Sequence, residues 1–171
     1  SEASLMQILR KLDRSFERSS QTFRATNRDG YLVDLIKPLR NPPWKSEPES
    51  IGADPDDLTA AQITGLEWLE NAPSFESVVI DEKGEPLRMV TPDPRVWAAH
   101  KLWLSGREDR DPIKRPRDEA QAKAVARLVC DYFPHLPFEA DELRMMPRHV
   151  LETAAPLFSP DIPPESATFR P

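Results

Sequence analysis

SFESVVIDEKGEPLRMVTPDPRVWAAHKLWLS, residues 74–105, is the stretch that decides the fold. Its first half carries two β-prone runs, Ser74–Ile80 and Glu85–Val90. Asp81-Glu82-Lys83-Gly84 lies between them and reads as the turn of a β-hairpin. Its second half opens on Asp93, a strong helix N-cap, and on Pro94, whose fixed φ suits the first helical position. A helix is therefore expected to about Ser105, ending near Gly106. Hairpin and helix in direct succession set the class as α+β.

The same reading extends in both directions. Upstream, Leu5, Ile8, Leu9, Leu12 and Phe16 recur at helical spacing, so a helix is expected over 3–16 with Ser4 as its cap. Residues 22–37 read as an earlier hairpin around Asn27-Arg28-Asp29-Gly30. Pro38, Pro42, Pro43, Pro48 and Pro55 make 38–58 a loop, and a short helix is expected over 58–71. Downstream, a charged loop from Arg107 to Arg115 leads into a long helix from Pro116 to about Phe133. Two short helices, 139–146 and 147–157, are split by Pro147, and Ser159–Pro171 reads as a poorly ordered tail. The expected architecture is a small antiparallel sheet from two hairpins packed on a helical C-terminal bundle, with divisions at 1–91, 92–158 and 159–171.

Composition narrows the chemistry. The 171 residues include 19 prolines but only 5 glycines, where average usage gives roughly 9 and 12. The glycines are scattered, which excludes a GxGxxG fingerprint and a Walker A loop, since both need clustered glycines against phosphate. A single cysteine, Cys130, excludes an internal disulfide framework and points to a reducing, cytoplasmic setting. No run has the ~18 apolar residues of a membrane helix, so no membrane partner is expected. The net charge of −6 argues against a general nucleic-acid coat protein but leaves room for a local basic site.

Four groups of residues could carry chemistry. Period two places Leu32, Asp34 and Ile36 on one face of a strand, with Val33 and Leu35 on the other. A carboxylate among apolar neighbours needs a partner, whether a metal, a structural ion pair or water. On the nearly all-apolar helix 95–105, His100 and Lys101 are the polar interruptions. The stretch 101–117 holds six basic residues (Lys101, Arg107, Arg110, Lys114, Arg115 and Arg117) against three acidic ones, and suits either a phosphate site or a solvated loop. On the long helix, Asp118 and Gln121 continue the buried stripe of Ala122, Val125 and Val129 toward the N-terminus, where Asp118 could pair with Lys101 or Arg117. His100, His135 and His149 show no metal-ligand spacing. Trp44 sits among prolines, whereas Trp68, Trp97 and Trp103 read as packing residues.

Several motifs together resemble a bacterial nucleotidyltransferase-fold family. They are Lys11-Leu12-Asp13-Arg14-Ser15-Phe16, Phe23-Arg24-Ala25-Thr26-Asn27, Asp29-Gly30-Tyr31, Val33-Asp34-Leu35-Ile36, Asp93-Pro94-Arg95, His100-Lys101-Leu102-Trp103-Leu104-Ser105, Arg110-Asp111, Lys114, Arg117-Asp118 and Gln121-Ala122. The resemblance implies a partial nucleotidyltransferase fold that uses Mg²⁺ and a nucleoside triphosphate. It implies that Asp34 is a metal-ligand carboxylate and possible base, and that Lys101, Arg117, Arg110 and Lys114 contact nucleotide phosphates. Asp118 and His100 would orient them. The acceptor would be an RNA or a protein.

This sequence departs from the resembled pattern at one point. It has no Gly-Gly or Gly-Ser pair, and carboxylates one residue apart, such as Glu47 and Glu49, lie beside prolines. The chain is therefore expected to be the C-terminal portion of a nucleotidyltransferase-like protein, inactive alone. The contrasting expectation is a non-catalytic module that contacts a protein or RNA through 101–117.

Overall fold

The structure is a computed structural model that describes residues 3–39, 42, 44, 50, 54–139 and 141–159. The chain forms two compact units, Ser1–Glu67 and Trp68–Pro171. The expected boundary at 91/92 therefore falls inside the second unit.

The first unit opens with α1 (Leu5–Leu12). Ser4 caps it as expected, its hydroxyl accepting the Gln7 N–H at 3.2 Å. A second cap comes from far along the chain. The buried Asp57 carboxylate accepts the N–H groups of Leu5 and Met6 at 3.1 and 3.0 Å. An anion is favoured there by both the orphan donors and the helix dipole. The helix stops at Leu12, not Phe16, because Asp13 turns extended and its carboxylate takes the N–H of Ser15 at 2.8 Å. Phe16 reaches the core from this turn instead.

Three strands follow, β1 (Glu17–Arg18), β2 (Arg24–Thr26) and β3 (Leu32–Asp34), antiparallel in the order β1-β2-β3. Gly30, at φ +80°, supplies the left-handed turn between β2 and β3. The second strand of the hairpin expected over 22–37 is divided at Leu35. Its N–H goes to Phe23 O at 2.8 Å, and its carbonyl accepts from Ala61 at 3.0 Å. The next strand, β4 (Ile36–Pro38), pairs in parallel with β5 (Ala61–Ile63), a pairing the hairpin reading did not include. Most of the helix expected over 58–71 is thereby replaced. Gly65, at φ +81°, separates β5 from the short α2 (Leu66–Glu70). Met6, Leu9, Phe16, Ala25 and Leu58 form the core of this unit. Pro43 and Pro48 of the expected loop lie outside the described residues, as do residues 160–171 of the expected tail.

The second unit begins with the expected hairpin, β6 (Ser74–Ile80) and β7 (Pro86–Pro92), paired Ser77↔Met89 at its middle. Next comes α3 (Pro94–Ser105), capped by Asp93 and ended at Gly106, as the sequence indicates. The long helix α4 spans Arg115–Tyr132. The helix expected over 139–146 is a 3-10 turn at Asp141–Leu143. Arg148–Ala154 forms α5 and passes into a 3-10 turn at Ala155–Phe158, where Pro156 lacks the N–H an α-helix would use. Val96, Ala99, Leu143, Met146, Val150 and Ala154 form the core, with Trp68 and Trp103 against it. The antiparallel hairpins and helices together make an α+β protein, with one parallel strand pair added.

Candidate functional site

The second unit brings three of the predicted residues, Lys101, Arg110 and Asp118, together where α3 and α4 meet. Lys101 projects from α3, and its Nζ donates to Asp118 Oδ1 at 2.9 Å. Arg110, from the loop after α3, donates to Asp118 Oδ2 from Nε at 2.7 Å and Nη2 at 2.6 Å. Asp118 is completely buried, whereas the side chains of Lys101 and Arg110 keep 18% and 26% of their surface exposed. One carboxylate thus holds two cations side by side, with an excess of one positive charge facing outward. Burial raises the Asp118 carboxyl pKa, but the hydrogen bonds from Lys101 and Arg110 outweigh it and leave the pKa below the ordinary 3.8.

The local sequence explains this placement. Pro116 starts α4 in its first turn, where the helix dipole favours the Asp118 anion. The loop is tied back by Arg115, whose Nε donates to Arg110 O at 3.0 Å and whose Nη2 donates to Glu108 O at 2.6 Å. Arg107 pairs with Asp109 in the same loop and stacks on Trp103, with 4.6 Å from guanidinium carbon to ring centroid. Lys101 also lies over the Trp97 ring at 5.3 Å. Lys114 is exposed with a long contact to Asp111 at 3.9 Å. Arg117 is exposed and stands outside the Asp118 cluster; its place as partner is taken by Arg110.

His100 lies behind Lys101, 5% exposed, with its ring edge-on to Trp68 at 6.0 Å and tilted against Trp103 at 5.7 Å. Neither ring nitrogen has a hydrogen-bond partner among the described residues. Burial first, then the charge of Lys101, lowers its pKa from 6.5 to about 4. Asp118 opposes this, while Arg110 and Arg107 add to it. His100 is therefore a neutral packing residue and makes no orienting hydrogen bond to the cluster. Gln121 Oε1 is likewise buried without a partner among the described residues.

Arg95 is absent from the expected site residues, yet its side chain is fully buried. Its guanidinium donates to both oxygens of Asp93, with Nη2 to Oδ2 at 2.6 Å. It also donates to Pro137 O at 2.6 Å and Glu142 Oε1 at 2.7 Å. Two signals pointed to it: the Asp93-Pro94-Arg95 motif, and the apolar helix on which an arginine must find buried acceptors. Arg95 pins the start of α3, and so the helix that presents Lys101.

Asp34 belongs to the first unit. It sits on the solvent side of β3, opposite Arg24 in the β2–β3 register. Arg24 grips it with Nε at 2.6 Å and Nη2 at 2.7 Å. That hydrogen bond holds the Asp34 carboxyl below its ordinary pKa against a small effect of burial. Among the described residues no group of three His, Cys, Asp or Glu side chains is arranged to hold a metal. Asp34 stands in no such group, and its carboxylate is engaged by Arg24. Among the same residues, no helix is long and apolar enough to cross a membrane.

The second unit of this α+β chain thus presents a lysine and an arginine on a buried aspartate. A family model described as nucleotidyltransferase matches residues 1–147. The chain belongs to that nucleotidyltransferase family. No curated protein and no solved structure matches it.

Proposed function

We propose that this chain supplies the nucleotide-phosphate side of a nucleotidyl-transfer site. Lys101 and Arg110 bind the phosphates of a nucleoside triphosphate, and Asp118 fixes the two cations at a set spacing. The single observation that carries this reading is the buried Asp118 bonded to both cations while each stays partly open to solvent. A phosphate oxygen meeting both would gain two charge-assisted contacts without reorganising either side chain. Lys114 and Arg117, both exposed nearby in sequence, add positive potential to the same stretch. Asp34 acts as the ion-pair partner of Arg24.

The contrasting reading, a basic surface for RNA, has less support. Arg107 and Arg115 already spend their guanidinium groups on Asp109 and loop carbonyls. The test is isothermal titration of this chain with each nucleoside triphosphate and with a single-stranded RNA. Lys101→Gln and Arg110→Gln are each expected to weaken triphosphate binding about tenfold or more, the effect of losing one charge-assisted hydrogen bond. Unchanged triphosphate affinity, with RNA retention lost on reversing Arg107, Arg110 and Arg115, would replace this reading with the binding module.

A further inference from the structure

The β6–β7 hairpin has two edges, and only one of them is guarded. Asp93 N–H donates to Pro73 O at 2.8 Å, and Asp81 N–H donates to Glu85 O at 2.9 Å, just beyond the two ends of the ladder. With the register Ser77↔Met89, the odd-numbered residues of β6 therefore turn their backbone groups toward β7. Ser74, Glu76, Val78 and Ile80 turn theirs outward from β6. On β7 the outward residues are Pro86, Arg88, Val90 and Pro92. Prolines thus occupy the first and last outward positions of β7 and remove their donors, which is how edge strands are protected from further pairing. The outer edge of β6 has all its donors, no proline and a single charge, Glu76.

The faces of the hairpin repeat this message. Val78 and Ile80 are 65% and 68% exposed, and Leu87, Met89 and Val90 are exposed as well. A two-stranded hairpin with so little cover is marginal in water, and three or more strands are the usual remedy.

We propose that β6 pairs with β6 of a second copy of this chain, antiparallel about a two-fold axis at Ser77. The strand is self-complementary in that register. Ser74 faces Ile80 of the other copy, and Glu76 faces Val78, so every outward N–H meets an outward carbonyl. Each copy's only β6 charge lies opposite a valine, with the other copy's Glu76 on a diagonal, and each Glu76 keeps its own Arg88 at 2.6 Å. On one face Phe75 of each copy meets Val79 of the other, which joins the two apolar faces into one four-stranded sheet. Ser77 meets its counterpart as a non-hydrogen-bonded pair, with Cα atoms ~4.5 Å apart. That spacing suits a disulfide.

The test uses the whole chain with Cys130→Ser to remove the native thiol. Sedimentation velocity is expected to show a concentration-dependent dimer, and Ser77→Cys is expected to cross-link it under mild oxidation. Ile80→Cys, which faces Ser74 and not itself, should not cross-link. Val78→Pro removes an outward donor and spares the β6–β7 ladder. It is expected to abolish the dimer while the circular dichroism spectrum is unchanged. A monomer at all concentrations would overturn the proposal. So would a dimer that survives Val78→Pro. A monomer with the Glu76 and Val78 amides protected from hydrogen exchange would also overturn it and assign the edge to another segment of the same chain.

Discussion

Asp34 and Asp118 make the same kind of contact and stand in opposite surroundings. Each is an aspartate gripped by arginine through two nitrogens at 2.6–2.7 Å. Asp34 lies on a strand surface with 35% of its side chain exposed and one cation, whereas Asp118 is sealed at a helix start with two. Water competes for the first pair at every moment, so it is worth little and exchanges readily. Water cannot reach the second carboxylate, so its cations are committed to it. The lesson is that burial, not the ion pair itself, turns a charged cluster into a fixed recognition element.

Removing partners should expose this difference, and the largest effect belongs to the most buried group. Arg95→Ala leaves the buried Asp93 without its partner and empties a fully buried volume. It is expected to cost about 4 kcal/mol in chemical denaturation, enough to threaten folding of the second unit. Asp118→Ala follows at about 3 kcal/mol, below the full value for a buried pair because Lys101 and Arg110 can rehydrate. Asp34→Ala should fall under about 1 kcal/mol by the same measurement. Equal losses at Asp34 and Asp118 would remove the distinction.

Acid provides a finer probe. The pKa of His100 is about 4 in the folded protein, against 6.5 ordinarily. Between those values the unfolded chain binds more protons, so stability falls as pH drops from 6.5 toward 4, by up to about 1.4 kcal/mol per pH unit. His100→Phe is expected to flatten that slope. The carboxylates act lower down. Stability from Asp118 is present above its ordinary pKa of 3.8 and is lost as pH falls through its lowered folded value. Urea denaturation of both proteins across this range separates the two effects.

Local signals were legible in the sequence and distant ones were not. Asp93, Pro94 and Gly106 bound α3 as their backbone chemistry requires, and Gly84 with its neighbours closes the β6–β7 hairpin. Polar positions on two apolar stripes offered Lys101 or Arg117 as the partner of Asp118, and Lys101 is the one that pairs. Arg110 as the second partner did not, because its approach depends on a loop folding back under Arg115, which helical spacing cannot reveal. The parallel β4–β5 pair and the Asp57 cap on α1 were hidden for the same reason. Each joins segments far apart in the chain with no turn signal between them.

The central claim is that the Asp118-held cations, and not the Asp34 pair, receive phosphate. It is tested most directly by calorimetric titration of a nucleoside triphosphate into the chain without divalent cation, comparing Lys101→Gln with Asp34→Ala. The account predicts about a tenfold or greater loss of affinity for Lys101→Gln and an Asp34→Ala variant indistinguishable from the parent. An affinity that falls in Asp34→Ala and is untouched in Lys101→Gln would contradict it.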